Sequence, residues 1–144
     1  MTEPEPANML AAKFSLPYAV ATAIVYNNTD ITAFYPDRLQ DPRTLNLSHR
    51  VDIIADPEMD LRRYDYPAAR ISISLKDGRT IKQDVIAHHG DTQNPASREE
   101  LVGKFNFLVE DILGADVTAR ITETVRHLDA LGSIRELTRL LHHD

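Results

Sequence analysis

The chain reads as an α+β domain in which a small antiparallel sheet of three to four strands packs against helices, with a helical C-terminus. Three observations carry this. Strand-like segments cluster mid-chain around one tight hairpin, capped amphipathic helices fill the last third, and no βαβ alternation links strands to helices. At 144 residues there is room for one domain with a real core and little room for two. Residues 1–10 are predicted to be a flexible or extended lead-in and residues 11–144 a single domain.

In chain order, Ser15 is placed to cap a helix, and Pro17 suits its first turn, where a missing N–H loses no bond. From about Leu16 to Tyr26 no breaker occurs and nearly every side is apolar, which predicts burial. Asn27-Asn28-Thr29-Asp30 stops that helix. Asp30 is expected to cap a short helix through Ile31, Phe34 and Tyr35 that Pro36 ends, and Asp41-Pro42 to start another carrying Leu45 and Leu47. Arg50 to Ala55 alternates and is β-branched, so a strand is predicted there, ended by Asp56-Pro57. The charged run from Glu58 to Tyr66 is expected to be an exposed loop or a single turn.

The hairpin follows. Ile71, Ile73 and Leu75 share one face of a strand over 69–75, Asp77-Gly78 offers two positive-φ positions, and 80–86 returns as the partner. Its polar alternate face predicts a sheet with one solvated side. After the polar loop 88–95, Ser97 and Glu100 form a capping box for a helix with Leu101, Phe105, Leu108 and Ile112 on one stripe, closed by Gly114 as a left-handed cap. Asp116 is expected to cap the next helix, carrying Val117, Ile121, Val125, Leu128 and Leu131 to Gly132. A second box, Ser133 to Glu136, opens a last helix with Leu137, Leu140 and Leu141.

Composition narrows function. A net charge of −6 and a pI near 5.4 weigh against nucleic acid, which wants a basic face. With no cysteine there is no thiol catalysis, disulfide or Cys-based zinc site. No apolar run reaches membrane-spanning length and the first residues are acidic, so a cytoplasmic protein with no membrane partner is expected. No cofactor and no metal are expected. His88 and His89 are adjacent in a loop after a strand and point to opposite sides, which is poor for joint coordination, and His127, His142 and His143 fall on separate helix faces or the terminus.

Tyr18 sits in the first turn of its helix, where outward N–H groups favour anions. It can hold a substrate carboxylate or give up a proton, or be a buried tyrosine bonded to a neighbouring carbonyl. Lys13 can pair with a carboxylate substrate as a point charge, or be a solvated lysine ahead of a helix. His89 can contact a carboxylate from the loop. Ser15 is better explained as a cap than as a nucleophile, since no His/Asp pair accompanies it.

The block Ala12-Lys13-Phe14-Ser15-Leu16-Pro17-Tyr18-Ala19-Val20-Ala21 resembles the opening of the C-terminal domain of the MmgE/PrpD family, which includes 2-methylcitrate dehydratases, cis-aconitate decarboxylases and an iminodisuccinate epimerase. Val51 to Asp60, Ala69 to Arg79, and Gly90-Asp91 through Asn94-Pro95 with Ser97 to Phe105 resemble later blocks in the same order. The resemblance implies the lid half, or small subunit, of a lyase that removes a proton alpha to a carboxylate of a small polycarboxylate, as in 2-methylcitrate dehydration. Family members are much longer, and a helical domain ahead of this one carries most of the chemistry. Tyr18 matches a tyrosine that faces the active site in the decarboxylase branch, so it is the candidate catalytic residue, with Lys13 and His89 as candidate substrate contacts. The implied partner is a separately encoded helical half, or self-association as an oligomer, and the chain is expected to be inactive alone. The alternative is a non-catalytic binding or oligomerisation module that retains the fold.

Overall fold

A computed structural model describes residues 2–62 and 68–142, with side chains at 61 and 62 excluded. The chain forms two compact units, residues 1–60 and 61–144. Each is taken by itself.

The first unit is helical. Helix α1 (Met9–Lys13) is capped by Asn8, whose side chain accepts from the Ala11 N–H. It begins inside the predicted lead-in. That lead-in is also pinned at three points: the Ser15 hydroxyl donates to the Glu3 carbonyl, the Ser48 hydroxyl donates to the Pro4 carbonyl at 2.8 Å, and His49 meets Glu5 at 2.6 Å. Helix α2 (Leu16–Tyr26) starts and stops where its local signals place it. Ser15 accepts from the Tyr18 N–H, Pro17 lies in the first turn, and Asn27 ends the helix in the left-handed conformation at φ 50°.

Burial of α2 is one-sided rather than all round. Tyr18, Ala21 and Thr22, at i, i+3 and i+4, are fully buried, whereas Leu16 and Ile24 are about half exposed. The buried stripe is narrow because its small residues let α4 (Pro42–Ser48) approach closely, with Thr44 and Ser48 fully buried from that side. Between them, Asp30 caps a 3₁₀ turn at Ile31–Phe34, and Pro36 opens helix α3 (Pro36–Leu39) rather than only ending what precedes it, as proline's fixed φ suits a first turn. Ala12, Tyr18, Ala33, Phe34 and Leu39 form one core with Leu45 packed on it.

The predicted strand at 50–55 is absent. The Val51 N–H donates back to Ser48, and no ladder forms among the described residues. Alternation and β-branching select an extended backbone, but a strand also needs a hydrogen-bonding neighbour. Ile54 is left 82 % exposed. Asp56, expected only to end the strand, also accepts from the Glu58 and Met59 N–H groups at the start of α5 (Pro57–Arg62), where an exposed loop or single turn is expected. The remainder of that expectation, residues 63–67, lies outside the described residues.

In the second unit, β1 (Ala69–Ser74) and β2 (Thr80–Val85) pair antiparallel, with Ile71 opposite Gln83 and Ile73 opposite Ile81. Among the described residues the sheet has two strands, not three or four. Arg70 and Asp84, directly opposite on the polar face, form a bidentate pair at 2.8 Å. The turn differs in one detail from the expected one. Leu75 pairs with Arg79 across three loop residues, and only Gly78 has positive φ, at 88°; a three-residue loop needs one such position, not two.

Helix α6 (Arg98–Leu113) carries the full predicted capping box: the Glu100 N–H donates to Ser97 Oγ and the Ser97 N–H to the Glu100 carboxylate at 2.7 Å. Gly114, at φ 80° and ψ 155°, is outside the left-handed helical region expected of it and serves both as the end of α6 and as the N-cap of α7 (Ala115–Arg126). Asp116 is therefore inside the first turn of α7, not its cap. A 3₁₀ turn at Leu128–Ala130 follows, so the predicted single helix to Leu131 is broken at His127. Helix α8 (Arg135–Leu140) has half a box, with the Ser133 N–H donating to Glu136 while Ser133 Oγ accepts from Arg135.

Candidate functional site

Tyr18 is the best-buried aromatic of the first unit. Its ring is fully enclosed and packs at 6.2 Å and 47° from Phe34, a tilted arrangement favourable for aromatic pairs. Its hydroxyl donates to the Ala33 carbonyl at 3.5 Å, the long limit of a hydrogen bond. Burial, reinforced by the nearby Tyr26 and Asp41 oxygens, pushes the phenol from its ordinary 10.0 up to about 12. A phenol so placed stays protonated at neutral pH. It can donate a hydrogen bond or a proton and is unsuited to act as a base.

This shift has a measurable sign. The folded state holds the Tyr18 proton beyond the pH at which an unfolded tyrosine loses it, so the associated stability is fully present below pH 10 and is lost as pH rises toward 12. In a spectrophotometric titration, Tyr18→Phe is expected to remove a step near pH 12. A titration curve that Tyr18→Phe leaves unchanged near pH 12 contradicts this placement.

Lys13 ends α1 on the surface, favourably placed for the C-terminal end of that helix dipole. His89 belongs to the second unit. It is exposed and its Nε2 meets the Glu100 carboxylate at 3.1 Å, the same carboxylate that closes the α6 capping box. Glu100 is held below its usual carboxylate range, first by the Ser97 N–H and then by the Ser97 hydroxyl, with His89 adding to it. His88 meets Asp91 at 3.7 Å, so the two adjacent histidines address different acids. Among the described residues no group of three or more His, Asp or Glu side chains could hold a metal ion; His143 lies outside them.

One cluster escaped the sequence reading. The Tyr26 hydroxyl donates to Asp41, whose carboxylate also receives Arg43 Nε at 3.2 Å and Arg43 Nη2 at 2.9 Å. Arg38 lies 4.5 Å and Arg43 5.5 Å from the centre of the Tyr26 ring, so two guanidinium groups stack on one phenol. The Arg43 contacts, then Tyr26, hold Asp41 far below the usual carboxylate range. Sequence placed only a helix start at Asp41-Pro42, where Asp41 accepts from the Arg43 N–H. Tyr26 and Asp41 meet only because α2 packs on α4.

No helix among the described residues is long and apolar enough to cross a membrane. The family model of the MmgE/PrpD C-terminal domain matches residues 1–130. Similar curated proteins include the cis-aconitate decarboxylases of Mus musculus, 26% identical over 141 residues, and of Homo sapiens, 24% identical over 141 residues; each alignment covers 98% of this chain and 29% of the relative. A cis-aconitate decarboxylase of Aspergillus terreus is 25% identical over 142 residues, covering 97% of this chain and 29% of the relative. The chain thus spans under a third of the length of these relatives.

Proposed function

The chain belongs to the MmgE/PrpD family through its C-terminal domain, and from that premise we propose that it is the lid half of a lyase acting on a small polycarboxylate. The observation that carries this is the family match across residues 1–130. The names of the similar proteins favour decarboxylation of cis-aconitate, or of a close analogue, over dehydration of 2-methylcitrate. In this reading a helical half supplies the base, and the two halves act together, as one complex of separate chains or as parts of one longer chain.

Loss of carbon dioxide from a carboxylated alkene leaves electron density on carbon that must take up a proton. Tyr18, whose phenol stays protonated at neutral pH, is the proposed donor for that step. Lys13 and His89 are the proposed carboxylate contacts, as a point charge and as a ring N–H donor. Lys13 is exposed, and His89 is bound to a single exposed glutamate that a substrate carboxylate can replace.

A second reading, a non-catalytic binding or oligomerisation module, is favoured by one observation. Tyr18 is fully enclosed and its hydroxyl already has an acceptor in Ala33. The assay that separates the readings is carbon dioxide release from cis-aconitate, and water loss from 2-methylcitrate, by this chain alone and combined with a family helical half. Activity only in the combination supports the lyase. No activity on either substrate with a stably formed combination overturns it in favour of the module.

A further inference from the structure

We propose that the cleft between α6 and α7 is a binding site for a small aliphatic carboxylate. It stands on the second unit alone. The one-residue joint at Gly114 folds α7 back along α6, and the two helices pack on one another. At the end away from that joint lies an open groove of about 350 Å³, lined by Leu101, Val102 and Phe105 from the early turns of α6 and by Ile121 and Val125 from the late turns of α7, with Leu101 and Val125 more than half exposed.

Three polar groups are set in this apolar wall. Arg98 and Arg126 both line the groove, at the same end of the helical hairpin. Arg98 makes no ion pair among the described residues. Arg126 uses one N–H in a 3.3 Å contact with Glu123, which is shared with His127 at 2.9 Å, and keeps most of its five donors. The third group is Thr122, whose hydroxyl oxygen is buried and has no hydrogen-bond partner among the described residues. The neighbouring Thr118 and Thr124 on the same helix both bond back to carbonyls four residues earlier, at 2.8 and 2.7 Å. Buried hydroxyls are ordinarily satisfied, so the orphan beside a groove points to a polar atom supplied from outside.

Apolar walls take a hydrocarbon body, and guanidinium groups take a carboxylate through paired N–H donors. Of the acidic side chains nearby, Glu100 is engaged by Ser97 and His89, and Glu123 is shared between His127 and Arg126 itself, so a ligand carboxylate competes with Glu123 for one Arg126 donor. The volume is at the small end for ligand pockets.

The test is calorimetric titration of the full chain with hexanoate, octanoate, decanoate and octan-1-ol. Affinity is expected to rise about fourfold for each added CH₂, and octanoate to bind at least about tenfold more tightly than octanol through the guanidinium contacts. Arg98→Gln and Arg126→Gln are each expected to weaken octanoate several-fold and leave octanol unchanged. Equal affinity for octanoate and octanol, no dependence on chain length, or no binding at millimolar acid overturns the proposal. So does an acidic amphipathic peptide that binds more tightly than decanoate, which would make the cleft a protein-docking groove. Both arginines are on the surface, and a circular-dichroism spectrum checks that each variant is folded; should one unfold, the octanoate-to-octanol ratio of the unaltered chain decides.

Discussion

Tyr18→Phe, made in the combination of this chain with a helical half, is expected to lower turnover by about 10²-fold or more, the range that a general acid contributes. The change removes one oxygen from a fully buried ring. Its single internal hydrogen bond, to Ala33, is at the 3.5 Å limit, so loss of that bond costs at most about 1 kcal/mol. The fold and the assembly therefore survive, and the rate reports on the hydroxyl alone. A raised phenol pKa makes the hydroxyl a donor at every pH below about 12, so the residual rate of the variant is expected to keep the pH profile of its parent through the neutral range. An unchanged rate in a correctly assembled variant removes Tyr18 from the chemistry and leaves it as a core residue.

The second large effect is on stability. Tyr18→Ala empties the centre of the first unit, where the ring packs on Phe34 within a cluster of five buried hydrophobic residues. Truncating a buried aromatic to alanine costs about 3–5 kcal/mol, comparable to the whole stability of a unit of this size. The first unit is expected to lose its helices, seen as lost hydrogen-exchange protection across α2 and α4. Phe14 supplies the control. It has the same apolar ring four residues earlier but is 60 % exposed, and Phe14→Ala is expected to change stability by no more than about 0.5 kcal/mol. Equal effects of the two changes contradict the core described above.

The contrast between these aromatics shows what a sequence can disclose. The helix around Tyr18 was legible to the residue, because Ser15, Pro17 and Asn27 act within a turn of themselves. The capping box at Ser97 and the hairpin around Gly78 were legible for the same reason. Reading α2 as buried all round failed, since α4 covers one stripe only and no local pattern says which. Residues 50–55 have the composition of a strand but no strand partner among the described residues, and pairing is a property of two segments. The Tyr26, Asp41, Arg43 and Arg38 cluster was out of reach on the same account, as was the groove lined by α6 and α7. Tyr18, Lys13 and His89 were singled out largely through family resemblance; in the structure one is enclosed, one is exposed, and one is engaged by Glu100.

The central claim is that this chain works only together with a helical family half. Its most direct test is the native mass and composition of the assembly recovered from source cells through a small tag on the chain. The account predicts equal amounts of this domain and a helical MmgE/PrpD half, on separate chains or on one, with lyase activity in that fraction. An assembly of this chain alone, without a helical half and without activity, would contradict it and make the binding module the better description.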